Sequence, residues 1–396
     1  MAKGKRSRKS TKHKKPKSID VLTCQDQVNE GSSKGGLPNT QQASRLMQLP
    51  QEIRDDIYGF VFCSTRFCYG ERAFGRMDQR RVVSANRGKA LGLLRACRRT
   101  RDEIGVDWIA QVLFHFEGPK AMLDTLAPLA NAVRSQIRYI RVVGEPLMIS
   151  WEEDDVYHRF HQVLKLLPCL QLDRLTVLGS ELDEVSYNTL DKLIRLSDGW
   201  RTLHYLSHQS AILGYAYQPS PFDTPEDSYL RHPQPATWQK DLENRDGLAS
   251  HPSVTVYRST TKVPGLMLTG SQLSDFSQSY SPGQPQREYG RSEDVALMAP
   301  DQRGKEMLIV ATRGADVGYA EELQPRLLAE DIRDARSETW EHVKAASKAS
   351  CSFDSDDDDE DDPWFPDDSG TQNTIVDAYR HVDEYTWPPS HYVKDH

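Results

Sequence analysis

Two histidines three residues apart, His158 and His161, are the side chains whose types and spacing best suit metal binding. They fall in residues 156–168, where apolar residues recur with the period of a helix, so both imidazoles are expected on one helix face. Asp154 and Asp155 precede them and offer a carboxylate as a third ligand. Zinc sites usually show two close pairs of ligands, and this segment has one pair, so two surface histidines are the favoured interpretation. No metal or other cofactor is therefore predicted.

The remaining groups with catalytic chemistry are scattered along the chain. His204 and His208 lie near the end of a predicted strand, where a general base could sit, but no nucleophile accompanies them. The sequence lacks the motifs of phosphate-binding loops, dinucleotide-binding folds, serine hydrolases and zinc proteases. Six dispersed cysteines without a CxxC favour reduced thiols over a disulfide framework. We predict a non-catalytic protein, with an enzyme that has an unrecognised site as the residual alternative.

Charge is concentrated at the two ends of the chain. Residues 1–17 carry nine Lys or Arg and no acid, whereas residues 354–396 carry fourteen Asp or Glu and two Lys or Arg. Few apolar residues occur in residues 1–45 or 351–396, so both are predicted to be disordered tails. The acidic tail is expected to bind basic proteins or to act as a solvated spacer, and Ser355 is a candidate phosphosite because acids follow it.

The basic tail predicts binding to a nuclear import receptor and a location in nucleus and cytoplasm. It has no interleaved aromatic residues, which argues against sequence-specific recognition of nucleic acid. No membrane is expected as a partner, because no stretch approaches the roughly 18 apolar residues that span a bilayer. The candidate import signal comprises Lys5, Arg6, Arg8, Lys9, Lys14, Lys15 and Lys17.

Two helices are predicted in residues 46–110, separated by an inserted loop at residues 63–89. The second helix is expected over residues 91–110. The first helix follows Pro50, which a helix tolerates in its first turn. Its expected core stripe is Ile53, Ile57, Phe60 and Val61, whereas Leu46, Leu49, Tyr58 and Phe62 point elsewhere and are expected to meet a partner or a second core.

Residues 111–350 are predicted to form a βα domain. Strands at 137–143, 172–178 and 201–207 alternate with helices, and we expect them to lie parallel in one sheet. The spacing resembles a βα repeat of the leucine-rich kind, and an irregular α/β domain fits equally well. Residues 208–300 are rich in Pro and Ser and are predicted to be mostly loop. Strands at 253–260 and 306–314 are expected to extend the sheet, followed by a helix at 328–349.

The segment LPQEIRDDIYGFVF, followed by LLRACRRTRDEI, resembles the N-terminal module of a large group of fungal F-box-like proteins of unknown function. The resemblance covers about 60 of 396 residues. It implies docking on the Skp adaptor of a cullin–RING ubiquitin ligase, with the following βα units holding a substrate protein. The chain departs from the pattern in its insertion at 63–89 and in Cys97-Arg98-Arg99. The candidate partner-binding residues are Leu49, Pro50, Ile53 and Ile57.

The sequence thus predicts an α/β protein-interaction protein, and the resemblance implies a substrate-recognition subunit of a ubiquitin ligase. The alternative is a nuclear protein that binds basic partners through its acidic tract. The predicted division is a basic tail (1–45), an F-box-like helical module (46–110), a leucine-rich-repeat-like βα domain (111–350) and an acidic tail (351–396).

Overall fold

A mixed β-sheet with helices packed on it forms the body of the protein, as a computed structural model shows. All described residues belong to one unit within residues 40–396. The structure describes residues 44–70, 81–84, 90–151, 154–158, 160–180, 182–214, 229–230, 232–263, 265, 267, 273–278, 285–286, 299–321 and 339–350.

The strands of the described residues are numbered in chain order. They are β1 (Thr65–Tyr69), β2 (Arg81–Ser84), β3 (Leu113–Phe116), β4 (Tyr139–Val143), β5 (Leu147–Trp151), β6 (Asp154–His158), β7 (Leu172–Leu178), β8 (Trp200–Ser207), β9 (Tyr229–Leu230), β10 (Ser253–Ser259), β11 (Leu273–Asp275), β12 (Pro285–Gln286) and β13 (Met307–Thr312).

The helices are numbered in the same way, and short 3-10 turns also occur at 107–110, 210–214 and 248–250. The helices are α1 (Arg45–Gln48), α2 (Gln51–Cys63), α3 (Ala90–Ala96), α4 (Arg98–Ile104), α5 (Pro119–Leu126), α6 (Asn131–Arg134), α7 (Phe160–Leu164), α8 (Asp183–Leu196), α9 (Ala236–Asp246), α10 (Pro300–Arg303) and α11 (Trp340–Ser350). No helix among the described residues is long and apolar enough to cross a membrane.

Nine strands pair in one sheet in the order β11-β10-β13-β8-β7-β4-β3-β1-β2. The strands β1, β3, β4, β7 and β8 are parallel and adjacent in chain order. At one edge β2 is antiparallel to β1, and at the other β13, β10 and β11 continue the sheet with antiparallel pairing. The predicted α/β class is confirmed, and so is the parallel pairing of the strands at 137–143, 172–178 and 201–207.

The helices form a layer on one face of this sheet. Each connection between parallel neighbours must cross over, and right-handed crossovers taken in one direction place every helix on the same face. The helices α5, α7, α8 and α9 accordingly pack side by side in chain order, and α9 reaches β10. Under this layer the registered residues Ile140, Leu175 and Leu203 are fully buried.

A repeated glycine ends two of the parallel strands. Gly144 follows β4 and Gly179 follows β7, and their N–H groups donate to the carbonyls of Leu178 and Leu206 on the next strand. A Cβ at Gly144 would lie 2.6 Å from Val177 Cγ1, so a side chain there would force the strands apart. The strand–Gly pattern of the sequence thus marks positions where the next strand leaves little room for a side chain.

The antiparallel edge is tied to the helix layer by an ion-pair network. Arg313, which follows β13, donates from Nε to both carboxylate oxygens of Asp246 at 2.9 and 2.7 Å. Its Nη1 donates to Asp198 at 2.9 Å, and Arg245 donates to the same Asp198 oxygen at 2.6 Å. Because Asp246 ends α9 and Asp198 precedes β8, the network fixes β13 against both elements.

Several element predictions are wrong. Residues 63–89, expected as a loop, contain β1 and β2, and β1 pairs with β3 inside the main sheet. The helix expected at 91–110 is divided into α3, α4 and a 3-10 turn. The helix expected at 156–168 is limited to α7, because β6 occupies Asp154–His158 and forms a hairpin with β5.

Other predictions hold or remain untested. The strands expected at 253–260 and 306–314 are β10 and β13 and do extend the sheet. The helix expected at 328–349 falls partly outside the described residues, and its described end is α11. The division into modules at residue 110 stays a prediction.

Candidate protein-interaction surface

Helix α2 packs on the body through a face that the sequence did not predict. Its buried residues are Arg54, Tyr58 and Phe62, which recur at the four-residue spacing of one helix face. The ring of Phe62 lies 6.0 Å from that of Trp108, and Trp108 in turn lies 5.8 Å from Phe67 on β1. Aromatic packing on β1 therefore decides which side of α2 faces inward.

A buried ion pair holds the same face of the helix to α4. Arg54 donates to Glu103 through Nε at 2.9 Å and through Nη2 at 2.7 Å, and its Nη1 donates to the carbonyl of Leu49 at 2.5 Å. Glu103 also accepts from the Tyr58 hydroxyl at 3.1 Å and from Arg99 Nε at 2.8 Å. Such charge-assisted hydrogen bonds are stronger than neutral ones, so this cluster fixes the orientation of α2.

The charge of Glu103 is strongly stabilised by these donors. The hydrogen bond from Arg54, with smaller contributions from Arg99 and Tyr58, lowers the pKa of the Glu103 carboxyl from 4.5 to about 2. The Glu103 carboxyl is therefore ionised at pH 7. The pair has a structural role, because it joins α2 to α4.

The predicted core stripe of α2 is wrong. Phe60 is 79% exposed and Ile53 is 46% exposed, whereas Ile57 and Val61 are half-buried. Tyr58 and Phe62, for which a partner or a second core was expected, are buried in the core. The apolar spacing correctly predicted a helix. That helix has two apolar faces, and the aromatic contact of Phe62 and the ion pair of Arg54 bury the face that was not predicted.

The exposed side of α2 carries the residues predicted to bind a partner. Leu49 and Pro50 are exposed at the start of the helix, and Ile53 and Ile57 follow at the spacing of one face. Phe60 extends the row by nearly another turn, and the row is called the α2 stripe below. The α2 stripe comprises Leu49, Pro50, Ile53, Ile57 and Phe60.

Acidic residues border the α2 stripe. Glu52 and Asp56 are exposed, four residues apart, and on the helical period they lie on the side of the stripe away from the core. An exposed apolar row with a charged border is the usual composition of a protein-binding surface, where an apolar centre is surrounded by a polar rim. The arrangement can therefore bind an apolar groove whose rim is basic.

Two of the residues that depart from the F-box pattern, Cys97 and Arg99, have a local structural role. Cys97 is the residue before α4, and its Sγ accepts the backbone N–H of Thr100 at 3.3 Å. The hydrogen bond between the Thr100 hydroxyl and Sγ lowers the pKa of the Cys97 thiol. Cys97 thus caps the helix that supplies Glu103 and Arg99 to the cluster around Arg54.

The structure separates the two histidines of the candidate metal pair. His158 ends β6 and His161 lies on α7, where it is buried, so the two do not share a helix face as expected. The part of the chain that the structure describes contains no group of three potential ligands for a metal ion. Burial, with the neighbouring Arg174 and Arg141, lowers the pKa of His204 to about 3, so its imidazole is neutral at pH 7.

Two sets of predicted site residues cannot be placed. The candidate import signal (Lys5, Arg6, Arg8, Lys9, Lys14, Lys15 and Lys17) and the candidate phosphosite Ser355 lie outside the described residues. The Arg54–Glu103 pair was not predicted from the sequence. Its signal is an arginine inside an apolar helical row and an acid in the next predicted helix. Comparison of the chain with models of known families, with curated proteins and with solved structures found no match.

Proposed function

We propose that this chain is a non-catalytic protein-interaction protein that docks a partner on the α2 stripe. The observation that carries the proposal is the exposure of an apolar row on a helix whose other face is already packed and ion-paired. Exposed apolar side chains that are contiguous, and not scattered singly, mark interaction sites. Phe60, at 79% exposed, would supply the largest buried area on binding.

The partner that we propose is the Skp adaptor of a cullin–RING ubiquitin ligase, and the chain would then select substrates for ubiquitination. The resemblance of Leu49-Pro50-x-Glu52-Ile53 to the start of an F-box supports this choice, because these residues belong to the α2 stripe. The strands β1, β3, β4, β7 and β8, adjacent in chain order with one-sided helices, support a leucine-rich-repeat-like body that presents the substrate.

The test is co-purification of the full-length protein with the Skp adaptor. Ile53→Asp and Phe60→Asp should each reduce the bound adaptor by at least tenfold, since a charge would enter a desolvated apolar contact, which costs on the order of 2 kcal/mol or more. Both variants should keep the wild-type melting temperature, because their side chains are exposed in the free protein. Leu248→Asp is the matched control, since Leu248 is 70% exposed and lies far along the chain after α9.

Two results would change the proposal. Without a complex between wild-type protein and the adaptor at micromolar concentration, the ubiquitin-ligase part is dropped. Affinity capture with mass spectrometry then identifies the partners. The Phe60→Asp variant should abolish recovery of partners that bind the α2 stripe. The same variant should leave unchanged the recovery of basic proteins that bind the acidic tract.

A further inference from the structure

Exposed arginines follow one another along α3 and α4. Arg98 and Arg101 lie three residues apart on α4 and are both exposed, so they project from neighbouring positions of the helix. Arg95, in the last turn of α3, is exposed as well and precedes Arg98 by three residues. The buried residues of α4 are Thr100 and Ile104, so the helix packs on the body through another side. Arg95, Arg98 and Arg101 are called the arginine face below.

The charges of the arginine face are unmatched within the described residues. None of its three guanidinium groups forms an ion pair or a hydrogen bond there, whereas the neighbouring Arg99 pairs with Glu103. The segment from residue 95 to residue 103 contains two acids, and one of them, Glu103, is shared between Arg99 and Arg54. The exposed Asp102 is then the one acid of this segment left for three cations. A negative segment laid along α4 would be attracted by this excess of positive charge.

We propose that the acidic segment of this same chain, residues 354–362, lies along the arginine face. Charge complementarity selects this occupant, because the segment has eight acids in nine residues and no base. Guanidinium groups donate charge-assisted hydrogen bonds to carboxylates, so several spaced arginines suit a run of carboxylates. The arginine face is exposed, and the segment therefore reaches it without opening the core.

Residues 1–17 are the other basic partner that this chain offers to the acidic segment. They carry nine positive charges, more than the arginine face does. Both tails are predicted from their composition to be disordered, so pairing them would cost conformational entropy in two segments. The arginine face stands on helices that are already ordered, so only the acidic segment loses conformational freedom when it binds there. The lower entropic cost favours the arginine face.

The chain places the acidic segment within reach of α4. The segment follows α11, whose Trp340 and Lys344 both donate to Asp124 on α5. Helix α5 packs on β1, and the turn that follows α4 also packs on β1 through Trp108. Packed elements lie about 10 Å apart, so Asp124 and α4 are separated by on the order of 20 Å. Residues 351–362 extend to about 40 Å, which covers this distance and the last turns of α11.

Such a contact would control what the acidic segment and α4 can bind. While the segment lies on the arginine face, its carboxylates are unavailable to basic proteins, and the arginines are unavailable to other acidic ligands. A competing ligand must displace a tethered segment whose effective concentration is on the order of 1 mM. Weak ligands of either charge are therefore excluded.

The test is crosslinking of full-length protein with a water-soluble carbodiimide, which joins a carboxylate to a lysine amine in direct contact. The double variant Arg98→Lys with Arg101→Lys keeps the positive charge and supplies amines at the arginine face. Monomeric product is isolated, digested and analysed by mass spectrometry. We expect crosslinks between the introduced lysines and residues 354–362. Raising the salt concentration to about 0.5 M should remove most of them, because the Debye length then falls to roughly 4 Å.

A matched control places the same two amines elsewhere on the surface. The double variant Arg201→Lys with Arg303→Lys changes exposed arginines that lie outside α3 and α4. Its introduced lysines should give at least about tenfold less crosslinked product with residues 354–362, because the reaction depends on prior contact of the two groups.

A second measurement uses the native arginines. A fluorescein-labelled peptide of residues 352–363 is titrated at low salt into full-length protein whose own segment is neutralised, and anisotropy reports binding. In that background Arg98→Gln with Arg101→Gln should weaken binding about fivefold, since two exposed ion pairs are lost. Arg201→Gln with Arg303→Gln should leave it unchanged, and melting curves verify that each variant is folded. The neutralised segment carries Asn in place of Asp356, Asp357, Asp358, Asp359, Asp361 and Asp362.

The proposal is overturned if the lysines introduced on α4 crosslink to residues 354–362 no more than the control lysines do. A crosslink found only in a dimer also overturns it, because the segment would then reach a second copy. Crosslinks from the segment to lysines of residues 1–17, with none to α4, would show instead that the two tails bind each other. Equal peptide binding by the Arg98→Gln, Arg101→Gln protein and its parent is the fourth contrary result. These outcomes leave the proposed function untouched, since the arginine face and the α2 stripe share no residue.

Discussion

At the scale of single residues, Glu103 is the residue on which the orientation of α2 depends. It accepts from Arg54, Tyr58 and Arg99, and these three donors come from two helices. Arg54 is buried, with 3% of its side chain exposed, so removing the carboxylate charge would leave a buried cation without its counter-charge. The α2 stripe depends on this pair, because the pair fixes which side of α2 stays in water.

We expect Glu103→Gln to lower the free energy of unfolding by about 2 kcal/mol, since it weakens hydrogen bonds to a buried charged group. The measurement is urea unfolding at pH 7. Asp102→Asn is the control, because Asp102 is exposed on the same helix and its change should stay within about 0.5 kcal/mol.

The pH dependence of this difference has a definite sign. The pKa of Glu103 is lowered in the folded protein from 4.5 to about 2, so the stabilisation is complete above 4.5 and is lost as pH falls from 4.5 toward 2. The difference between wild type and Glu103→Gln should shrink over that window. A difference that stays constant down to pH 2.5 would contradict the assigned pairing.

At the scale of elements, α2 shows that a helix with two apolar sides is not oriented by its own sequence. The row Ile53, Ile57 and Phe60 and the row Tyr58 and Phe62 both satisfy the helical period. The choice is made by the 3-10 turn at 107–110, which brings Trp108 against Phe62, and by β1, whose Phe67 packs against Trp108. Neither neighbour could be assigned from residues 46–62 alone.

Truncation of the two phenylalanines tests this orientation. Phe62→Ala should destabilise the protein by about 3 to 5 kcal/mol, because Phe62 is 1% exposed and its removal leaves a cavity. Phe60→Ala should change stability by less than about 0.5 kcal/mol, because Phe60 projects into water. Thermal or urea unfolding measures the stability of both variants. Equal losses of stability would mean that both sides of α2 are packed.

At the scale of the whole molecule, the two ends of the chain have opposite charge. Residues 1–17 hold nine positive charges and contain the candidate import signal. Import receptors bind flexible basic peptides, so the signal is expected to act without help from the folded body.

The import prediction concerns the intact protein in a cell. Replacement of Lys5, Arg6, Lys14 and Lys15 by Ala should shift a fluorescent fusion, too large to enter the nucleus passively, from the nucleus to the cytoplasm. A control with four lysines replaced in the folded body (Lys120, Lys165, Lys192 and Lys240) should keep the wild-type distribution. An unchanged distribution of the first variant would rule out this signal as the determinant.

The sequence by itself determined the α/β class, the strands β4, β7, β8, β10 and β13, and their membership of one sheet. These elements are short apolar runs closed by Gly or separated by amphipathic helices, so local pattern and the crossover rule suffice. Local chemistry dictated each of these features.

Only the tertiary structure decided the placement of β1, the buried side of α2 and which side chains are neighbours across the sheet. The strand β1 is a short run, TRFCY, within a polar and Arg-rich segment, and it is a strand because β3 offers it a parallel partner more than forty residues away. Arg141, Arg174 and His204 share one face of the sheet although they are 33 and 30 residues apart in the chain, because register sets which side chains are neighbours. Pairing between distant segments is a property of the assembled sheet, and no single segment encodes it.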